Sequence, residues 1–250
     1  MIANRRTLLS ACAAFPVYAL VAELALAQSV PRSLPARRWL SLQSELARGL
    51  AQRTLSDAAW HRGVTELSAQ VDLESLAHEL RRARIRDAGA PFRHDPTKRF
   101  VTVLDNEERP VRLGYGLALF DFGPDSVITP HAHRFMASAH MVVDGLVRLR
   151  TFDRIGDEGN AIVMRPTQDV LAEPGHAAAM TTAKDNVHWF APRSARAMTI
   201  DVIVDGLEPG QERYLIEPVD PLRATRLPNG SLRAPLLTFD ASMALYRAQD

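Results

Sequence analysis

From about Arg99 onward the sequence breaks into short apolar runs rich in β-branched residues, each bounded by Asp, Gly, Pro or Asn. Residues 100–104, 117–122, 141–143, 146–152, 161–164 and 198–204 are the clearest of them. Runs of that length and spacing predict strands, and a succession of strands without intervening helices predicts an antiparallel sandwich or barrel. A doubly wound sheet would need strands alternating with helices, and that alternation is missing. The sequence carries no internal repeat, no P-loop and no dinucleotide fingerprint.

Residues 28 to about 90 have a different texture. Trp39, Leu42, Leu46 and Leu50 recur every three or four positions and so share one helix face. Leu73, Leu76 and Leu80 repeat the pattern behind Asp72, a candidate N-cap. Gly63 weakens the helix expected between positions 56 and 69. The basic run at 81–86 reads as a solvated helix end, favoured by the helix dipole. The expected organisation is a helical segment over 28–95 and a barrel domain over 96–250. A chain of 250 residues with 46% apolar content can bury such a core. A net charge of +1 without a basic block argues against a nucleic-acid partner.

Residues 1–27 read as an export signal. Arg5-Arg6 is followed by an apolar run that ends in Ala25-Leu26-Ala27, a cleavage-site pattern. The paired arginines before Thr7-Leu8-Leu9 fit a twin-arginine signal, which exports folded proteins; an ordinary secretory signal is the alternative. The expected location is the periplasm or beyond, with no membrane attachment after cleavage, since Pro16 and Glu23 interrupt the run. The single cysteine, Cys12, falls inside the signal, within a loose lipoprotein-like box. Cleavage after Ala27 would leave no thiolate, so the chemistry would rest on His, carboxylates, hydroxyls or a metal.

His131-Ala132-His133 is the strongest local feature. Residues two apart on a strand point to the same side, so both imidazoles can aim into a barrel and hold one transition metal. His-x-His alone also fits a solvated pair or a core hydrogen bond. Gly145 follows His133 by twelve residues in an Asp-Gly hairpin signal, and Asn186-Val187-His188 precedes the strand at 198–204.

With those residues in place, the sequence resembles the cupin superfamily, and within it thiol dioxygenases of the cysteamine dioxygenase and plant cysteine oxidase type. The family segment P-x-H-x-H-P-G-M-T corresponds to Pro130-His131-Ala132-His133-Arg134-Phe135-Met136-Ala137, with Pro130 directly before His131, followed by Gly145 and Thr151-Phe152-Asp153. Its second segment is matched by Asn186-Val187-His188 and Ile200-Asp201-Val202-Ile203. The likeness spans about 114–218. It implies a double-stranded β-helix, or jelly-roll, barrel with an α-helical N-terminal segment. It also implies an iron(II) site on His131, His133 and His188 that adds both atoms of O2 to a small thiol, giving a sulfinate. Two departures stand out: Arg134-Phe135 replaces Pro-Gly, and Asp205-Gly206-Leu207 replaces Pro-Pro-Tyr. Ser138 occupies the position where many cupins place a glutamate ligand, which favours three histidines without a carboxylate.

The donor set supports this chemistry independently. Three neutral ligands on one face of an octahedral metal leave room for O2 and a substrate, and an anionic thiolate would balance the metal charge. Zinc on the same residues would activate water instead, and manganese, nickel or copper also accept imidazole. A non-catalytic binding module and a zinc or manganese isomerase or hydrolase are the alternative readings.

Further candidates follow. Asp201 is placed near the site by the resemblance, where it could orient a ligand histidine. His140, seven after His133, faces away in a regular strand and needs a bulge or bend to reach the cavity. Tyr115 and Tyr214 could donate to substrate or bound oxygen, or serve as core or interface aromatics. Arg134 or Arg148 could pair with a substrate carboxylate or lie exposed on the surface. His61, His78, His94 and His176 read as surface residues.

Overall fold

The computed structural model describes residues 34–89, 94–208, 210 and 214–247. The export signal expected over 1–27, Cys12 included, lies outside the described residues. Three helices come first: α1 (Ala36–Ala51), α2 (Asp57–Gln70) and α3 (Leu73–Arg82). Trp39, Leu42, Leu46 and Leu50 of α1 are all buried, as their spacing requires. Asp72 caps α3 by accepting from Glu74 N and Ser75 N. Gly63 does not interrupt α2. It lets α2 approach α1, because a Cβ there would meet the Leu46 side chain at 3.0 Å. The helical segment ends earlier than expected: after Arg82 the chain turns into β1 (Arg84–Gly89), an exposed edge strand.

The remaining strands are β2 (Thr97–Thr102), β3 (Gly116–Phe122), β4 (Ile128–Arg134), β5 (Ala137–Asp144), β6 (Val147–Asp157), β7 (Ala161–Ala172), β8 (Ala177–Met180), β9 (Val187–Pro192), β10 (Ala197–Val204), β11 (Leu215–Pro218), β12 (Thr225–Arg226) and β13 (Leu232–Pro235), with a last helix α4 (Phe239–Leu245). They form two antiparallel sheets, ordered β1-β2-β3-β10-β5-β8 and β11-β4-β9-β6-β7-β13-β12. Stripped of the flanking strands, the eight strands β3–β10 interleave as β3-β10-β5-β8 facing β4-β9-β6-β7. That order is two Greek keys wound together, a jelly roll. The protein is thus mainly β, a jelly-roll barrel with helices packed on one side.

Residue alternation assigns the two faces of the first sheet. Leu117 and Leu119, Ala137, Ala139 and Met141, and Ile200, Val202 and Val204 point outward and share a core with the helices. The intervening residues point into the barrel. Phe122, Val142, Met180 and Phe190 fill one end of it. Burying a large apolar side chain contributes about 1.5–3 kcal/mol, so the helix layer stabilises the sheet it covers. Among the described residues no helix is long and apolar enough to cross a membrane.

Candidate metal centre

The centre is built on β4 and β9, neighbours in the second sheet. His131 lies directly opposite His188. Between Ile128 and His131 the β4–β9 register slips, so Thr129 and Pro130 oppose Trp189 alone. This bulge admits a proline inside a strand. It also resets the alternation, so that Ile128, His131 and His133 all face the barrel interior.

The three imidazoles converge. Their ring centroids lie 4.2 Å (His131–His188), 4.7 Å (His133–His188) and 4.8 Å (His131–His133) apart. One nitrogen from each lies within 4.8 Å of the others, and no carboxylate of the described residues joins them. His131 Nδ1–H donates to the Thr129 carbonyl at 2.8 Å, which leaves the Nε2 lone pair pointing at the cluster. His188 Nδ1 reaches the Asn186 carbonyl at 3.4 Å. Ser138, the position of the missing glutamate, is fully buried and does not line the cavity.

These residues fit a metal ion. Burial pushes the His131 ring down to about 4 and the His133 and His188 rings well below their usual value, so all three are neutral at neutral pH. His131 Nε2 and His133 Nε2 are 3.0 Å apart. Nitrogens at that separation need a proton or a cation between them.

The histidines form one wall of a cavity of about 520 Å³. The first sheet supplies the opposite wall. His140 and Asp201 are direct cross-strand partners on β5 and β10, with His140 Nε2 3.5 Å from Asp201 Oδ2. His140 Nδ1 is hydrogen-bonded to Thr199 Oγ1 at 3.0 Å, and its ring lies 6.4 Å from that of His188. No bulge is needed to bring His140 inside. The chain turns between β4 and β5 and changes sheet, so counting alternate residues from His133 does not carry across. Burial raises the Asp201 carboxyl to about 7, against the pull of the Lys98 charge, and its Oδ1 has no hydrogen-bond partner.

The other candidates separate. Tyr214 lines the cavity and is 42% exposed. Tyr115 does not: its hydroxyl donates to the Leu40 carbonyl and ties the barrel to α1. Arg134 points outward, where its Nε and Nη2 pair with Glu217 at 2.7 Å and Asp157 at 2.9 Å. Arg148 pairs with Asp169 on the surface. Neither arginine lines the cavity, so the surface placement holds for both and the possible pairing with a substrate carboxylate there does not.

Three features escaped the sequence reading. Asn186 is fully buried and its Nδ2 donates to the carbonyls of His133 and Thr181, clamping one ligand's main chain beside the other ligand. Asp185 is held in a left-handed conformation (φ 50°) by Thr151, Thr167 and His61. Burial pushes its pKa up, but those hydrogen bonds outweigh it and keep the carboxylate below its usual range. His61 is therefore not a free surface residue: from α2 it braces the loop that leads into His188. The third feature is Lys98, an inward residue of β2 on the cavity wall.

The titrations predict an acid-sensitive metal-free protein. Unfolded imidazoles take up protons below about pH 6.5, whereas folded His131 resists to about 4 and His140 to about 3. Stability should rise with pH across that window and be lost on acidification. Asp201 acts oppositely, since its raised carboxyl costs stability as pH climbs toward about 7. Several rings outweigh one carboxyl. Thermal melts of metal-free protein should fall steadily from pH 7 to pH 5; a flat profile would show that the rings are not buried together.

No family model and no curated protein matches the sequence. Solved structures do. The 11S globulin procruciferin from Brassica napus is 11% identical over 52% of this chain and 30% of its own, with a TM-score of 0.37. An oxalate oxidase is 20% identical over 50% and 58%, with a TM-score of 0.33. A sugar phosphate isomerase of the cupin superfamily, from Silicibacter pomeroyi, is 19% identical over 68% and 96%, with a TM-score of 0.36. The chain spans less than two thirds of the first two. The jelly-roll assignment rests on the strand order rather than on these likenesses.

Proposed function

We propose that this protein is a metal-dependent cupin oxidoreductase, an iron(II) dioxygenase that oxidises a small thiol to its sulfinate. The observation that carries the reading is the convergence of three neutral imidazoles, without a carboxylate ligand among the described residues, on the wall of a cavity sized for a small molecule. His131, His133 and His188 would hold the ion. When bound there, iron(II) supplies open coordination positions for a thiolate and for O2. In the net reaction both oxygen atoms go to sulfur and the charge is unchanged, so no outside reductant is needed.

The chain's own residues serve that reaction in identifiable ways. The Thr129 and Asn186 carbonyls fix the tautomers of His131 and His188. Phe120 and Ile128 line the cavity, and Phe190 stacks against the rings of His140 and His188; together they limit water. Asp201 Oδ1, unpartnered and close to half-protonated at neutral pH, can accept the proton of an entering thiol. Export belongs to the same proposal: a twin-arginine signal over 1–27 would carry the folded, metal-loaded protein to the periplasm.

The test is metal analysis of purified protein, with O2 consumption followed in the presence of cysteamine, cysteine and 3-mercaptopropionate. The expected result is iron in the protein and thiol-dependent uptake that yields a sulfinate by mass spectrometry. Zinc without uptake would instead assign the site to water activation, and the absence of both iron and uptake would end the oxygenase reading.

A further inference from the structure

Lys98 stands opposite Phe120 in the β2–β3 pair, so both side chains face the barrel interior. Its ammonium lies 5.1 Å from the ring centroids of both Phe100 and Phe120. Phe120 in turn stacks on His140 at 4.9 Å, so the charge sits across the cavity from the histidines. Asp95, Asp201 and Asp205 line the same cavity, and the Lys98 charge pulls on the buried Asp201 carboxyl. The ammonium is set over two aromatic faces inside the cavity, a place where a further anion is favoured beside it. An anionic group on an entering molecule would meet it there.

We propose that Lys98 is a specificity residue that selects substrates carrying a carboxylate at the end remote from the metal. The inference rests on the proposed metal site for the other end of the substrate. It distinguishes a doubly anionic ligand, with one charge at the metal and one at Lys98, from a cationic aminothiol that Lys98 would repel. No other cation lines the cavity among the described residues, since Arg134 and Arg148 are engaged on the surface.

The experiment is anaerobic calorimetry on the iron-loaded full chain with 3-mercaptopropionate, its neutral methyl ester, and 3-hydroxypropionate. Wild type should bind 3-mercaptopropionate at least about tenfold more tightly than the ester, the range of a charge-assisted hydrogen bond. Lys98→Met, which keeps the apolar stem over the rings, should bring the two within about twofold, and Lys98→Arg should restore the gap. Equal binding of acid and ester, a preference that survives in Lys98→Met, or no binding of either anion would each overturn the proposal. Lys98-dependent binding of 3-hydroxypropionate without oxidation of any thiol would sink the thiol reading alone. Thiol oxidation unaffected in Lys98→Met would sink the Lys98 assignment alone.

Discussion

Replacing His188 by alanine is expected to lower metal affinity at least about 100-fold while leaving the fold in place. Loss of a mere supporting contact around a metal costs about 10–100-fold, and His188 is itself one of the three converging rings. The change in the metal-free protein should be small. The His188 ring is neutral, and its hydrogen bond to Asn186 is long at 3.4 Å. Neighbouring Val187, Trp189 and Phe190 hold β9 through their own buried contacts. The readout is the rise in melting temperature on adding metal, which wild type should show and His188→Ala should lack. An unchanged metal-dependent shift would place the ion elsewhere.

Gly145→Ala should unfold the barrel or weaken it by about 2–5 kcal/mol, the sum of a left-handed non-glycine backbone and an overpacked contact. Gly145 has φ 70° in the turn between β5 and β6. A Cβ there would lie 2.2 Å from the Arg196 carbonyl oxygen, 2.6 Å from Ser194 Oγ and 2.9 Å from Ala197 Cα. Two of those three atoms are backbone and cannot rotate away. The same contact joins this turn to the one between β9 and β10, where Leu146 N donates to Ser194 Oγ and Arg193 N to the Leu146 carbonyl. Displacing one turn therefore disturbs the strand that carries His188. A Gly145→Ala variant that melts within about 2 °C of wild type would contradict this packing.

The jelly roll was legible because its strands are short, β-branched and separated by turn residues, and because no helix interrupts them. The convergence of His131 and His133 was legible because alternation on a strand ties them together, whereas His188 was placed beside them by the resemblance. The same rule, pushed one residue further, places Arg134 on the outer face, where it pairs with Glu217 and Asp157. Alternation failed for His140 because a turn and a change of sheet intervene. It also hides the bulge at Thr129-Pro130, which shows only in the pairing of β4 with β9. Phe135, in the turn between β4 and β5, has a left-handed backbone with φ 68°, at a strain cost of about 1–2 kcal/mol. Asp185–His61, Asn186–His133 and the placement of Lys98 were illegible for one reason. Each depends on residues brought together from distant parts of the chain, and no local periodicity encodes such meetings. Tyr115 takes the interface role that its residue type also allowed, and its partner, in the helical layer, was not legible.

The central claim is a single metal-ion site that His131, His133 and His188 would form together. Cobalt(II) titration of the metal-free protein, followed by visible absorption, tests it most directly. Saturation is expected at one ion per chain, with loss of saturable binding in His188→Ala. Saturable binding that persists in His188→Ala would contradict the site.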